Sequence, residues 1–424
     1  MHRSSIAVMG ETAASYALIK LIPTGNTPIG INLALVLDVS GSMYEEDGTG
    51  FSRLSRIQKA AVAAIQKLKP TDTLTLVAFA HNCQVVLPPT PLSEKAKIEE
   101  HIMKIDMFDV DPGGTAMDMG IESSIAEVEK NARPGKLSQL IVLTDGETSG
   151  ERRCKELAAT LAQKKIRFNI IGVGTDWNQS LVKDLAKLSE GNWGYIDVND
   201  VSAADRLFEQ EFSALAAAGF LDVEMHLRVK KDVKVKRTRQ VVPDIKNLPM
   251  EEPEERHLLA KLGTLEKDKT PRYILDLSLP KRPDGKFSIL DIEVTFDPGT
   301  GQRVSTGQFP LEMAYTSAGH GYINAEVAKH IDEVQIAELN DNLQKAISTS
   351  TAAVDSNNAV AVEKANAEVQ RIAQVIEQKA QVMGPRAAKK TMLAKQVLQE
   401  LNVGGRVSKK TQLAVDDAAR AANE

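Results

Sequence analysis

Between residues 31 and 218 two kinds of segment alternate. Short runs such as INLALVLD (31–38), DTLTLVAFA (72–80), LSQLIVLT (137–144) and IRFNIIGV (166–173) are almost continuously apolar. They have no polar face, as strands buried on both sides of a sheet require. The segments between them carry apolar residues at helical spacing. In RLSRIQKAAVAAIQKLK, Leu54, Ile57, Ala61, Ile65 and Leu68 fall near one face. SEKAKIEEHIMKI reads as a helix with Ser93 as its N-cap. Further helices are expected over 116–132, 151–165, 179–191 and 202–218, and a short strand at WGYIDV (193–198). Strands alternating with helices of about 10–15 residues predict an α/β unit: a doubly wound, mostly parallel sheet covered on both faces. The unit spans residues 28–218.

The period then changes to two. Leu221, Val223, Met225, Leu227 and Val229 alternate with Asp222, Glu224, His226, Arg228 and Lys230. YILDLSL and LDIEVTFD repeat the alternation, and DPGTGQ (297–302) is a turn signal. One buried and one wet face predict an antiparallel β-sandwich over residues 219–316. The N-terminal segment 1–27 holds SYALIKLI, a strand expected to join that sandwich. Residues 322–424 carry helical periodicity in Ile331, Val334, Ile336, Leu339, Leu343 and Ile347, then in Val369, Ile372 and Ile376, then in Leu393, Val397 and Leu401. STSTAAVDSNN, MGPR and NVGGRVSKKT read as the separators of a helical hairpin or bundle.

Composition narrows the function. The chain has 424 residues, so at roughly 100–200 residues per domain two to four domains are expected. A net charge of -5 argues against nucleic-acid binding, which favours a basic domain. Cys83 and Cys154 stand alone, too few for a disulfide framework or a Cys-based metal site. The N-terminus has no apolar h-region, and no run of about 18 apolar residues marks a membrane span. These features predict a soluble cytoplasmic protein.

The chemistry gathers at strand ends. Asp38 ends the first apolar run, and Ser40 and Ser42 follow at two-residue steps. A turn, a nucleophile or a metal site would each use such residues. Two more loops of the unit add oxygens at the same edge: Thr115 after Gly113-Gly114, and Asp145 at the end of LIVLTD. A doubly wound sheet binds ligands outside the carboxyl ends of its strands. Two carboxylates and three hydroxyls suit Mg²⁺, or Mn²⁺ or Ca²⁺, rather than Zn²⁺ or Cu²⁺. A nucleophilic serine would need a base, and DVSGSM lacks the G-x-S-x-G elbow. No P-loop occurs, and IGVG is only part of a dinucleotide fingerprint. Asp176 and Trp177 could rim the site or lie in a surface loop, and His81 reads as structural or solvated. KKDVKVKRTRQ carries six basic residues, either the wet side of a strand or a docking patch for an acidic partner.

D-x-S-x-S, a distant Thr after Gly-Gly, and T-D-G resemble the metal-ion-dependent adhesion site of von Willebrand factor A domains. Asp38, Ser40, Ser42, Thr115 and Asp145 match its five positions in order. The resemblance covers residues 28–218, and the whole layout is similar to a bacterial subgroup with a trailing β-sandwich and helical tail. It implies a Rossmann-like fold and a divalent cation held by those five residues. A partner's acidic side chain would complete the metal's shell, as in an adaptor with no enzymatic activity. That subgroup often accompanies kinases and phosphatases. Some relatives are instead non-motor subunits of an ATPase or chelatase complex, the alternative reading, with a metal-dependent hydrolase as a third. The acidic run Glu45-Glu46-Asp47 directly after the serines departs from the pattern.

Overall fold

A computed structural model describes residues 1–8, 12–25, 28–46, 50–145, 148–174, 177–189, 191–197, 199–318, 321–356, 358–383 and 387–420. Two strands, β1 (Ser5–Ala7) and β2 (Thr12–Lys20), precede the α/β unit. That unit runs β3 (Gly30–Asp38), α1 (Arg53–Ala64), β4 (Thr73–Phe79), β5 (Cys83–Pro91), α2 (Lys95–Met103), α3 (Met117–Lys130), β6 (Lys136–Thr144), α4 (Glu151–Gln163), β7 (Arg167–Val173), α5 (Gln179–Leu188), β8 (Asn192–Ile196) and α6 (Ala203–Ala216). Its sheet has the order β5-β4-β3-β6-β7-β8. All pairs are parallel except β4 with β5. One layer of helices covers each face, and residues 34 to 37 of β3 are wholly buried from both sides. Leu33, Leu35 and Leu37 face one core cluster and Ala34 and Val36 the other. This is why the strand reads as an unbroken apolar run.

Ser93 does not cap α2. A single 3-10 turn, Leu92–Glu94, precedes that helix, and Glu94 stands at its N-cap without a side-chain cap bond.

The chain leaves α6 and enters a β-sandwich without a linker. Its strands are β9 (Ala218–Val229), β10 (Lys234–Val242), β11 (Lys246–Leu248), β12 (Glu251–Glu254), β13 (His257–Glu266), β14 (Arg272–Pro280), β15 (Gly285–Asp297) and β16 (Val304–Thr316). They form one sheet ordered β1-β16-β15-β9-β13-β12 and another ordered β11-β10-β14-β2. Val223, Met225 and Leu227 of β9 meet Tyr273, Leu275 and Leu277 of β14 between them. The turn at 297–302 is closed by the Asp297 carboxylate, which accepts from the N–H groups of Gly299, Thr300 and Gly301. It presses on Gly135, where an added Cβ would lie 2.5 Å from the Gly299 carbonyl oxygen.

Among the described residues four helices follow: α7 (Ala325–Asp355), α8 (Ala359–Met383), α9 (Ala388–Gly404) and α10 (Lys409–Arg420). The first lies on the outer face of the smaller sheet, where Val334 and Ala337 pack with Val241, Ile245 and Ile274. That face is therefore not wet, contrary to its alternating pattern. The Ser/Thr-rich stretch at 348–351 does not interrupt α7. Thr349 bonds back to the Lys345 carbonyl at 2.9 Å, which satisfies its hydroxyl inside the helix. The α9 helix stops where Gly405 takes a left-handed conformation. Gly384, Pro385 and Arg386 of MGPR lie outside the described residues.

Candidate metal centre

The strand order reverses between β3 and β6. From this pair β4 and β5 lie to one side, and β7 and β8 to the other. Asp38 is the last residue of β3, and Asp145 follows the last residue of β6. The two carboxylates therefore straddle the switch point at the carboxyl edge, the ligand position of such sheets.

Local hydrogen bonds fold the serines over this edge. Asp38 Oδ1 accepts from the Ser40 N–H at 2.9 Å, an Asx-type turn that ends the strand. Its Oδ2 accepts from the Thr144 hydroxyl at 2.7 Å. A 3-10 turn over Gly41–Tyr44 then brings the serine side chains together. Ser40 Oγ and Ser42 Oγ stand 3.3 Å apart, and the Ser42 hydroxyl donates to Asp145 Oδ1 at 2.7 Å. Two bonds tie in the third loop: the Gly41 N–H donates to the Pro112 carbonyl, and the Thr148 hydroxyl to the Thr115 carbonyl at 2.9 Å. The structure thus links Asp38, Ser40, Ser42 and Asp145 through their side chains, and it joins Thr115 to the same edge through its backbone.

The electrostatics call for positive charge. Asp38 is 0% exposed and Asp145 3%. Burial pushes the Asp38 carboxyl up to about 6, against hydrogen bonds from Ser40 and Thr144, and the charge of Asp145 adds to the rise. Buried carboxylates are retained when paired or when they hold a metal. Among the described residues no cluster of three or more His, Cys, Asp or Glu side chains could hold an ion. A cation here would depend on hydroxyl oxygens beside two carboxylates, a donor set that fits a hard ion.

Arg53, which opens α1, had not stood out in the sequence. Its Nη1 donates to Asp145 Oδ2 at 2.8 Å, and its Nη2 lies 3.0 Å from Glu45 Oε2. The acidic run after Ser42 was the available signal, since acids clustered beside a carboxylate site favour a neighbouring cation. Asp47 of that run lies outside the described residues.

Other candidates resolve differently. Trp177 is 1% exposed and donates its indole N–H to the Gly174 carbonyl at 3.1 Å, so it is a core residue and neither rim nor surface loop. Asp176 lies outside the described residues. His81 is exposed. Three cations of the basic run are held by acids of the chain: Lys230 by Asp291, Arg237 by Glu338, and the buried Arg239 by Asp276 and Glu338. Strand register also brings together two histidines that are distant in sequence, His226 and His257, 3.0 Å apart on the outer face of the larger sheet.

Residues 33–147, which include all five edge residues, match the family described as von Willebrand factor type A domain. The chain contains a von Willebrand factor A domain. An uncharacterized protein of Synechocystis sp. is 30% identical over 281 residues, 64% of this chain and 63% of that relative's length. Two solved structures are similar along almost the whole chain. The von Willebrand factor type A protein from Catenulispora acidiphila has a TM-score of 0.72 at 16% identity, covering 99% of this chain and 98% of its own. The ArnB paralog VWA2 from Sulfolobus acidocaldarius has a TM-score of 0.57 at 15% identity, covering 99% and 96%. At such identities the likeness shows the fold. Among the described residues no helix is long and apolar enough to cross a membrane.

Proposed function

We propose that this von Willebrand factor A protein is a metal-dependent adaptor for protein–protein interaction and not an enzyme. One observation carries the reading: chain-distant oxygens converge on one point, with Ser42 Oγ 2.7 Å from Asp145 Oδ1 and 3.3 Å from Ser40 Oγ. Asp38, Ser40, Ser42, Thr115 and Asp145 would hold Mg²⁺, or Mn²⁺ or Ca²⁺. The ion would supply a concentrated positive charge, open on the outer side to an acidic side chain of the partner protein. Domains of this family commonly mediate protein–protein interaction, which supports the reading.

Calorimetric titration of the full chain with Mg²⁺ and Mn²⁺ tests it. Asp145→Ala and Asp38→Ala should each weaken binding by about 100-fold or more, above the effect of losing an outer-sphere partner. Circular dichroism should show the fold retained. Unaltered affinity in both variants would sink the proposal. Capture from lysate in Mg²⁺ and in EDTA then separates the roles. A partner held by wild type only in Mg²⁺ supports metal-gated docking. One held under every condition moves docking to the sandwich or the helical tail.

A further inference from the structure

Both oxygens of the Asp145 carboxylate carry a protein donor. Ser42 occupies Oδ1 and the Arg53 guanidinium occupies Oδ2, and the Asp145 side chain is 0% exposed. Arg53 is held from the other side as well. Its second nitrogen pairs with Glu45, whose side chain is 63% exposed. The backbone fixes that pairing: the Arg53 N–H donates to the Glu45 carbonyl at 3.2 Å, and Glu46 bridges antiparallel to Ser52. The main chain of Glu45 is thus held next to Arg53, with its exposed carboxylate in reach of the guanidinium.

A guanidinium on Asp145 and a divalent cation on Asp145 are like charges in a partly buried place. Like charges on one carboxylate repel even at an effective dielectric of about 20. They compete for the same carboxylate. We infer that Arg53 is the resident counter-ion of Asp145. The divalent cation must displace it, and Glu45 retains it when displaced. The inference rests on the cation site proposed above and adds its regulation: the affinity for metal is set by an internal arginine latch. It also gives the acidic run a role. The charge of Glu45 is answered by Arg53, so it does not stand unscreened against an acidic partner.

Calorimetry with Mg²⁺ and Mn²⁺ on the full chain tests the latch through variants of opposite sign. Arg53→Gln should tighten cation binding by about tenfold or more, since a charge-assisted competitor is gone. Arg53→Lys, which keeps the charge but not the two-armed bridge, should fall between Arg53→Gln and wild type. Glu45→Gln should weaken binding about threefold, and that loss should vanish in the Arg53→Gln background, as a coupled pair requires. Unchanged or weaker binding in both Arg53 variants, with Asp145→Ala still abolishing it, would overturn the latch and leave the cation site standing. Binding by Arg53→Gln where wild type shows none would support the latch in its strongest form. No binding by wild type or any Arg53 variant would overturn both readings together.

Discussion

Asp38, Ser40 and Ser42 were legible in the sequence because their constraint is local. A strand buried on both faces cannot carry a carboxylate in its middle, so an aspartate after five apolar residues marks its end. Arg53 was not legible, because its partners Glu45 and Asp145 meet it only through the loop and the sheet. Single residues also differ in what they leave reactive. The two cysteines look alike in the sequence but sit in different surroundings. Cys154 is wholly buried on α4, and burial pushes its thiol up to about 12, with the negative charge of Asp118 adding to the rise. A raised pKa empties the nucleophilic thiolate at every pH below it, so at about pH 8 only roughly one Cys154 in 10⁴ is ionised. Cys83 is half-buried beside the Ser123 hydroxyl. Iodoacetamide should therefore leave Cys154 unmodified in the native chain at pH 8 and alkylate both residues in guanidinium chloride. Peptide mass spectrometry reads this directly, and rapid native labelling of Cys154 would contradict its burial.

At the scale of elements, the strands and helices of the von Willebrand factor A domain were readable because the buried strands are unbroken apolar runs and the helices carry apolar residues at helical spacing. The exceptions have physical causes. The edge strand β5 contains Pro88, Pro89 and Pro91, which remove ladder donors and hide a strand from pattern reading. The α7 helix runs through a polar stretch because tertiary packing and hydroxyl back-bonds outweigh weak propensity. The wet face expected of β14 is covered because α7, more than forty residues downstream of it, lies across that side of the sheet. Trp177 follows the same logic. Its ring fills the space over β7 that Gly172 leaves, and a Cβ at 172 would stand 2.4 Å from the indole. Gly172→Ala should therefore cost about 1–3 kcal/mol, the usual range for overpacking a tight core. The urea midpoint should fall and the Trp fluorescence should change, since either the ring or β7 must move. An unshifted midpoint would show that this contact relaxes without strain.

Across the whole molecule, one chain end fastens three units. The von Willebrand factor A domain meets the sandwich through α6 and β9, and the sandwich carries α7 on its outer face. The tail then returns to the first domain. Leu413 of α10 enters the core cluster of Leu181, Val182 and Leu185 on α5, while Val415 and Ala418 of the same helix pack in the bundle. Asp416 accepts from Gln179 and pairs with Lys183, at the end of α5 that follows the loop after β7. Sequence periodicity revealed helices here but not their docking, because Leu413 looks like any other apolar position of a bundle helix. The consequence is mechanical. The helical tail grips a helix whose leading loop leaves the carboxyl edge of the sheet, the same edge that carries Asp38 and Asp145. Leu413→Asp would bury a charge against α5 and should release α10. Amides of 409–420 should then lose hydrogen-exchange protection while β3 and β6 keep theirs. The unfolding free energy should drop by about 2–5 kcal/mol, as for loss of a buried leucine. Protection retained in α10 would mean that the bundle alone holds the helix. Weaker Mg²⁺ binding in this variant, with the sheet intact, would show that the tail and the metal edge are energetically coupled.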